Sequence, residues 1–394
     1  MAQQSTEYVK TGGLSGAQKR KLKEAIAGYL FIAPATILLT VFGLFPLIFA
    51  VYISLHRWRI KKGKFLGLKN YSKALGDGHD VLWFVVGIAL LILAWYVWSN
   101  MTKEDRTWAM AAKFAAAVGL IAGAVALFMG LGGMIESGDT RMYKSFLITI
   151  FYAVGIVPTQ IGIALLLAVM LYQKIKGKDI YRIIYFLPYV TITVASAGVF
   201  GSIFSRRPES IANRVISFFG IPPQKWLQES EGIWNLILGH FGIHADLNMF
   251  WAGPSLALLT IMLYNLWVFV GYNAVILLAG LGAIPSDMYE AAEIDGANRW
   301  KSFLHITLPM LSPTIYFLTI ITVMGVFKAI SHVLVLRTDA SQGTTDTASL
   351  YIFDQFYSAT RFGYAAAIAL LLFAVILSLT FIQTRIAKRT VFYG

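Results

Sequence analysis

Between residues 145 and 328 the chain places polar side chains inside stretches that are otherwise apolar. Asn265 and Tyr272 are seven positions apart, close to two helical turns, so on a helix they share a face, with Asn273 beside them. Thr319 and Thr322 fall on one side of a later stretch that Lys328 closes, and Thr149, Tyr152, Thr159 and Gln160 occur in an earlier one. An amide and a phenol on one face supply the hydrogen bonds and aromatic surface that an uncharged sugar needs in exchange for its water. The same residue types also hold helices together in a bilayer, so a packing role competes with a pathway role at each position. Covalent and metal chemistry find no support. Glu290 and Glu293 have no nucleophile or base pattern near them. The six histidines show no metal-ligand spacing. With no cysteine, disulfides, thiolate metal sites and cysteine catalysis are excluded. The phosphate loop G-x-x-x-x-G-K-S/T is absent, because Gly63-Lys64-Phe65 and Gly177-Lys178-Asp179 lack both the hydroxyl residue and the upstream glycine.

The elements that must position these side chains follow from composition. Of the 394 residues, 57% are hydrophobic and 13% charged, about half the charge of an ordinary soluble chain. That places the chain in a membrane. A helical span needs about 20 apolar residues. Eight stretches qualify, at approximately Tyr29–Leu55, Val81–Ser99, Ala109–Ile135, Ser145–Tyr172, Ile183–Phe204, Ser255–Ala283, Phe303–Phe327 and Tyr364–Thr384. They are continuously apolar, unlike the short alternating strands of a barrel, so the fold class is all-α, a polytopic membrane helical bundle. Prolines 34, 46, 158, 188, 309 and 313 lie in or near the spans, where kinks are tolerated if neighbours satisfy the freed carbonyls. Lys113 is the one charge well inside a span, and its position about one turn from the helix start suits snorkelling. The net charge of +13 sits largely in short loops beside apolar runs, where Lys and Arg meet lipid headgroups, so nucleic acid is not the expected partner. No cleavable signal peptide is evident, the first apolar run being too long for one.

Residues 1–28 form a basic tail with Lys10, Lys19, Arg20, Lys21 and Lys23, expected to be cytosolic. Residues 206–254 form the longest loop, and 328–363 another polar one. With the N-terminus inside, Lys and Arg divide evenly between the two faces, and the basic segment His56–Asp80 falls outside. The basic tail beside the first span favours that orientation nonetheless. The stretch Pro285–Trp300 stands apart as helix-prone, amphipathic and mildly acidic. Ser286 is a plausible N-cap after Pro285, and Asp287 adds negative charge in the first turn. Ala291, Ala292 and Ala297 are small enough for a partner to approach, and Gly296 permits a sharp turn between two short helices.

Glu290-Ala291-Ala292, Gly296, Ile306 and Leu308-Pro309 match at every defined position the EAA signature of binding-protein-dependent importer permeases. Asp295-Gly296-Ala297, Phe303 and Pro313 extend the match into the sugar-importer branch, as do Leu66-Gly67-Leu68-Lys69-Asn70-Tyr71, Gly280-Leu281, Ile284-Pro285 and Gly363-Tyr364-Ala365-Ala366-Ala367. The chain thus resembles the permease subunit of a type I ABC importer, similar to the maltose and glycerol-phosphate types, over roughly 28–75 and 144–390. Residues 81–136 stand outside the resemblance.

The resemblance implies about eight transmembrane helices around a six-helix importer core. Residues 29–55 would be the first core span, 81–136 an extra two-span hairpin with Gly119, Gly123 and Gly130 packing against the core or another subunit, and 144–390 the core permease domain. Within it, 286–301 would be the coupling helix. Glu290, Ala291, Ala292, Asp295, Gly296 and Ala297 would contact a separate ABC ATPase dimer, which would carry ATP and Mg, leaving this chain neither an enzyme nor a cofactor carrier. Further implied partners are a second permease, as a heterodimer, and an extracytoplasmic solute-binding protein, in a bacterial or archaeal cell membrane with both termini cytosolic. The solute would be a sugar or oligosaccharide, and the basic segment 56–80 suits an anionic one, such as a uronate or sugar phosphate. For this helix the family likeness supports Asn265 and Tyr272 as pathway residues. A membrane glycosyl or lipid transferase would need acidic clusters, and an ion-coupled secondary transporter would need inverted repeats and ion sites; neither set is seen.

Overall fold

The computed structural model describes residues 16–100, 106–173, 176–243 and 247–392. It divides into two units, Met1–Ile53 and Ser54–Gly394. The first consists, in its described part, of most of one helix, α1 (Gly16–Ser54). Residues 16–28, expected as a tail, continue that helix, while Lys10 lies outside the described residues. Pro46 has no N–H to offer the carbonyl four residues back, and the helix widens into a π-turn over Thr40–Leu44.

The second unit opens with a hairpin of β1 (His56–Trp58) and β2 (Lys62–Phe65), paired antiparallel, and the short α2 (Lys69–Leu75). Next come α3 (Gly78–Asn100) and α4 (Arg106–Ser137), two long apolar helices packed on each other. Glycines set their spacing: a Cβ on Gly87 would lie 2.5 Å from the Leu127 nitrogen, and one on Gly130 2.4 Å from that of Phe84. Gly119 and Gly123 face Ala94 and Gly87. The small residues of this hairpin therefore join its own two helices rather than fastening it to the core, because only backbone-to-backbone contact uses a missing side chain fully.

The core is α5 (Thr140–Tyr172), α6 (Lys178–Val190), α7 (Thr193–Ile203), α10 (Leu256–Gly282), α12 (Arg299–Phe327) and α15 (Phe362–Thr390). Between them lie α8 (Ile211–Ser217), α9 (Ile233–His240), α11 (Ser286–Ile294), α13 (Ser331–Leu336) and α14 (Ala348–Phe353). Asp139 caps α5 by accepting from the backbone nitrogens of Arg141 and Met142 at 3.0 and 3.3 Å. It also accepts from the hydroxyls of Tyr351, at 2.7 Å, and Tyr364. Ser255 caps α10 through the Leu258 nitrogen at 3.1 Å. α10 is the most buried span and packs mainly against α5 and α6.

Among the described residues seven helices are long and apolar enough to cross a bilayer, or eight if the bent pair α6–α7 is one span. The eighth expected span, Ile183–Phe204, is instead two helices, α6 and α7, which meet at 101°. At the break Thr191 and Ile192 adopt extended and non-helical backbone. α6 crosses α10 at Gly271, where a Cβ would sit 1.7 Å from the Tyr185 carbonyl oxygen. Only glycine admits that crossing.

Candidate functional site

The break between α6 and α7 opens against α10, and with α5, α12 and α13 it encloses a cavity of about 330 Å³. One wall is aromatic. Tyr189 from α6 stacks on Tyr272 from α10, with ring centroids 4.4 Å apart and planes 20° from parallel, and Phe269 meets Tyr189 edge-on at 5.7 Å. The opposite chemistry is amide. Gln160 and Asn273 line the cavity at 2% exposure each, and Gln160 Oε1 and Asn273 Nδ2 have no hydrogen-bond partner. Burying an unpaired amide group costs about 1–3 kcal/mol, so each of these two amides carries an unmet polar atom beside the cavity.

A hydrogen-bonded network borders this space. The Tyr152 hydroxyl lies 2.7 Å from His332 Nε2, linking α5 to α13. The Tyr264 hydroxyl lies 2.7 Å from Ser196 Oγ and donates to the Thr193 carbonyl at 3.2 Å, tying α10 to the first turn of α7. Burial lowers the pKa of His332 to about 4, so its ring is neutral at physiological pH.

Of the residues expected on the solute path, Asn265, Tyr272, Asn273 and Thr322 line this cavity together with Gln160. Thr319 is not among the lining residues; its hydroxyl bonds to the Ile315 carbonyl. Thr149 also lies elsewhere, fully buried and accepting from the Ala348 nitrogen at 2.8 Å, while Thr159 is exposed and bonds to Gly155. Tyr189, Phe269, Tyr264 and His332 escaped the sequence reading.

At the far end of α10 the segment 285–302 forms two short helices. Pro285, not Ser286, occupies the N-cap position of α11, and Ser286 is its first helical residue, its hydroxyl directed to Asp287. The helix ends in a Schellman motif: Gly296 N–H donates to the Glu293 carbonyl at 3.0 Å and Ala297 N–H to that of Ala292 at 2.9 Å. Gly296 has φ +74°, a conformation that side chains resist. Asn298 then caps the turn that opens α12 by accepting from the Lys301 nitrogen at 2.9 Å. The Tyr289 hydroxyl contacts Thr307 Oγ1 at 3.0 Å, and Ile284 is buried in the core, so the segment is anchored. Its outer face presents Glu290, Ala291, Asp295 and Gly296 with the exposed apolar side chains of Met288, Ile294 and Trp300. Ala292 and Ala297 are half-buried.

Comparison with known proteins matches this architecture. The arabinooligosaccharides transport system permease protein of Bacillus subtilis is 32% identical over 263 residues, covering 66% of this chain and 76% of that protein. The trehalose/maltose transport system permease protein of Thermococcus litoralis is 24% identical over 372 residues, 94% and 96% of the two chains. In fold, the chain is similar to a bacterial alginate ABC transporter solved with an alginate pentasaccharide-bound periplasmic protein, at a TM-score of 0.61 and 18% identity over 95% of this chain and 98% of that one. Residues 160–392, which contain every residue lining the cavity and all of the segment 285–302, match the binding-protein-dependent transport system inner membrane components, and to that family of ABC importer permeases, multi-pass membrane proteins, the chain belongs.

Proposed function

We propose that the cavity between α5, α6, α10 and α12 is the translocation site of this permease, and that its cargo is a saccharide. The observation that carries this reading is the pairing of the Tyr189–Tyr272 stack with two buried, unpartnered amides, Gln160 and Asn273. Stacked phenols offer a flat apolar face to a pyranose ring, while the amides discriminate its hydroxyls. The names of the relatives, which transport arabinooligosaccharides and trehalose or maltose, support the same class of solute.

In this reading the segment 285–302 docks on a separate ABC ATPase dimer that binds ATP and Mg, through Glu290, Ala291, Ala292, Asp295, Gly296 and Ala297, with Ile294 and Trp300 supplying apolar contact. Asn265, Tyr272, Asn273 and Thr322 contact the solute; Thr319 packs. A second, non-identical permease completes the pathway, an extracytoplasmic binding protein delivers the solute, and both termini are cytosolic. ATP-driven closure of the ATPase moves the docking segment. The bundle then alternates between two open states, because ligand and nucleotide each favour one of them. The test is purification of the tagged chain from its native membrane, followed by reconstitution. Co-purification of a P-loop ATPase and saccharide uptake that requires ATP are expected. Uptake driven by an ion gradient with no ATPase present would overturn the reading.

A further inference from the structure

The cavity holds one formal charge. Lys328, at the C-cap of α12, is an exposed residue that lines the cavity, and no Asp or Glu lines it. His332 is neutral there. Among the described residues Lys328 has no ion pair. An ammonium at the last turn of a helix is common on a watery surface, where the helix dipole favours it. Beside a cavity bounded by apolar spans, it is a cation that an anionic guest can pair with. The neighbouring groups restrict that guest further. The Tyr189–Tyr272 stack offers a ring platform, and Gln160 and Asn273 await hydroxyl partners, so a bare inorganic anion would leave most of the site unfilled.

Resting on the saccharide reading above, we infer that the solute is an acidic saccharide whose carboxylate or phosphate pairs with Lys328 while a sugar ring lies on the Tyr189–Tyr272 stack. The ammonium donates a charge-assisted hydrogen bond to the anionic oxygen. The two sources of negative charge, uronate and sugar phosphate, share this contact and are separated by the experiment.

The complete transporter in nanodiscs is titrated calorimetrically with two matched pairs, digalacturonate against its methyl ester and trehalose 6-phosphate against trehalose. At least one acidic member should bind about tenfold or more tightly than its neutral partner, the scale of one hydrogen bond to a charged group. Lys328→Gln should erase that preference by weakening the acidic member more than the neutral one, while Lys328→Arg should keep it. A uronate-only or phosphate-only preference identifies the anion. Equal binding of acidic and neutral members by the parent overturns the inference but leaves the saccharide reading standing. An equal loss for both members in Lys328→Gln, with lower yield of the complex, also overturns it, since it would make Lys328 the ion-pair partner of a carboxylate on the companion permease. Failure of all four sugars to bind would sink the saccharide reading and the inference together.

Discussion

Asn265 and Tyr272 lie on one face of α10, where both line the cavity, and the face leads on towards the segment 285–302. Asn265→Ala and Tyr272→Ala should each lower solute affinity by about 1–3 kcal/mol, the cost of an unmet polar group or a lost ring contact. Uptake measured beside the yield and melting temperature of the complex separates this from packing: a packing role would lower all three together. These two residues were legible in the sequence because amides and phenols are rare in apolar helices and their spacing fits a turn. Tyr189 was not legible in the same way. It lies within α6, four residues after Tyr185, and what it meets is decided by the crossing of α6 over α10 at Gly271. Thr319 shows the opposite limit. A threonine hydroxyl can satisfy itself on the carbonyl one turn back, as this one does on Ile315, so its polarity in the sequence says little about what it faces.

At the scale of elements, the spans and the two-helix segment 285–302 could be read from hydropathy and a short motif, whereas the crossing of α6 over α10 could not. It depends on two backbones meeting at Gly271, which sequence shows only as one small residue among several. Gly271→Ala would drive a methyl group into the Tyr185 carbonyl, push α6 outward and separate Tyr189 from Tyr272. A destabilisation of about 1–3 kcal/mol is expected, with weaker solute binding; an unchanged melting temperature and affinity would show that the crossing is slack. Gly296 acts differently, because open space surrounds it and only its φ of +74° resists a side chain. Gly296→Val should leave insertion and solute binding intact but reduce solute-stimulated ATP hydrolysis by the assembled complex. Normal stimulation would remove the docking role from this segment.

For the whole molecule, the proposed contact of segment 285–302 with a cytosolic ATPase fixes an expected sidedness. In this cysteine-free chain, a cysteine at exposed Arg214 should react with an impermeant thiol reagent applied outside intact cells, and one at exposed Glu293 should react only after lysis. The reverse pattern would invert the molecule. One feature of the second unit extends beyond transport. The substantial contacts of α3 and α4 with the rest of the chain are with α2 and α5, at the end where the hairpin begins and ends. There Ser137 donates to the Asp80 carboxylate at 3.3 Å and accepts from the Asp77 nitrogen at 3.0 Å, so the chain leaves and re-enters at nearly the same point. A segment whose two ends coincide can be spliced out without moving either flank, and two crossings leave together, so every later loop keeps its side. Replacing residues 81–136 with a short glycine–serine bridge should therefore yield a permease that inserts, assembles and transports. The excised pair, its helices already clasped by Gly87 and Gly130, should fold in a bilayer as a free-standing cassette, which helix-proximity measurements on the isolated peptide can check.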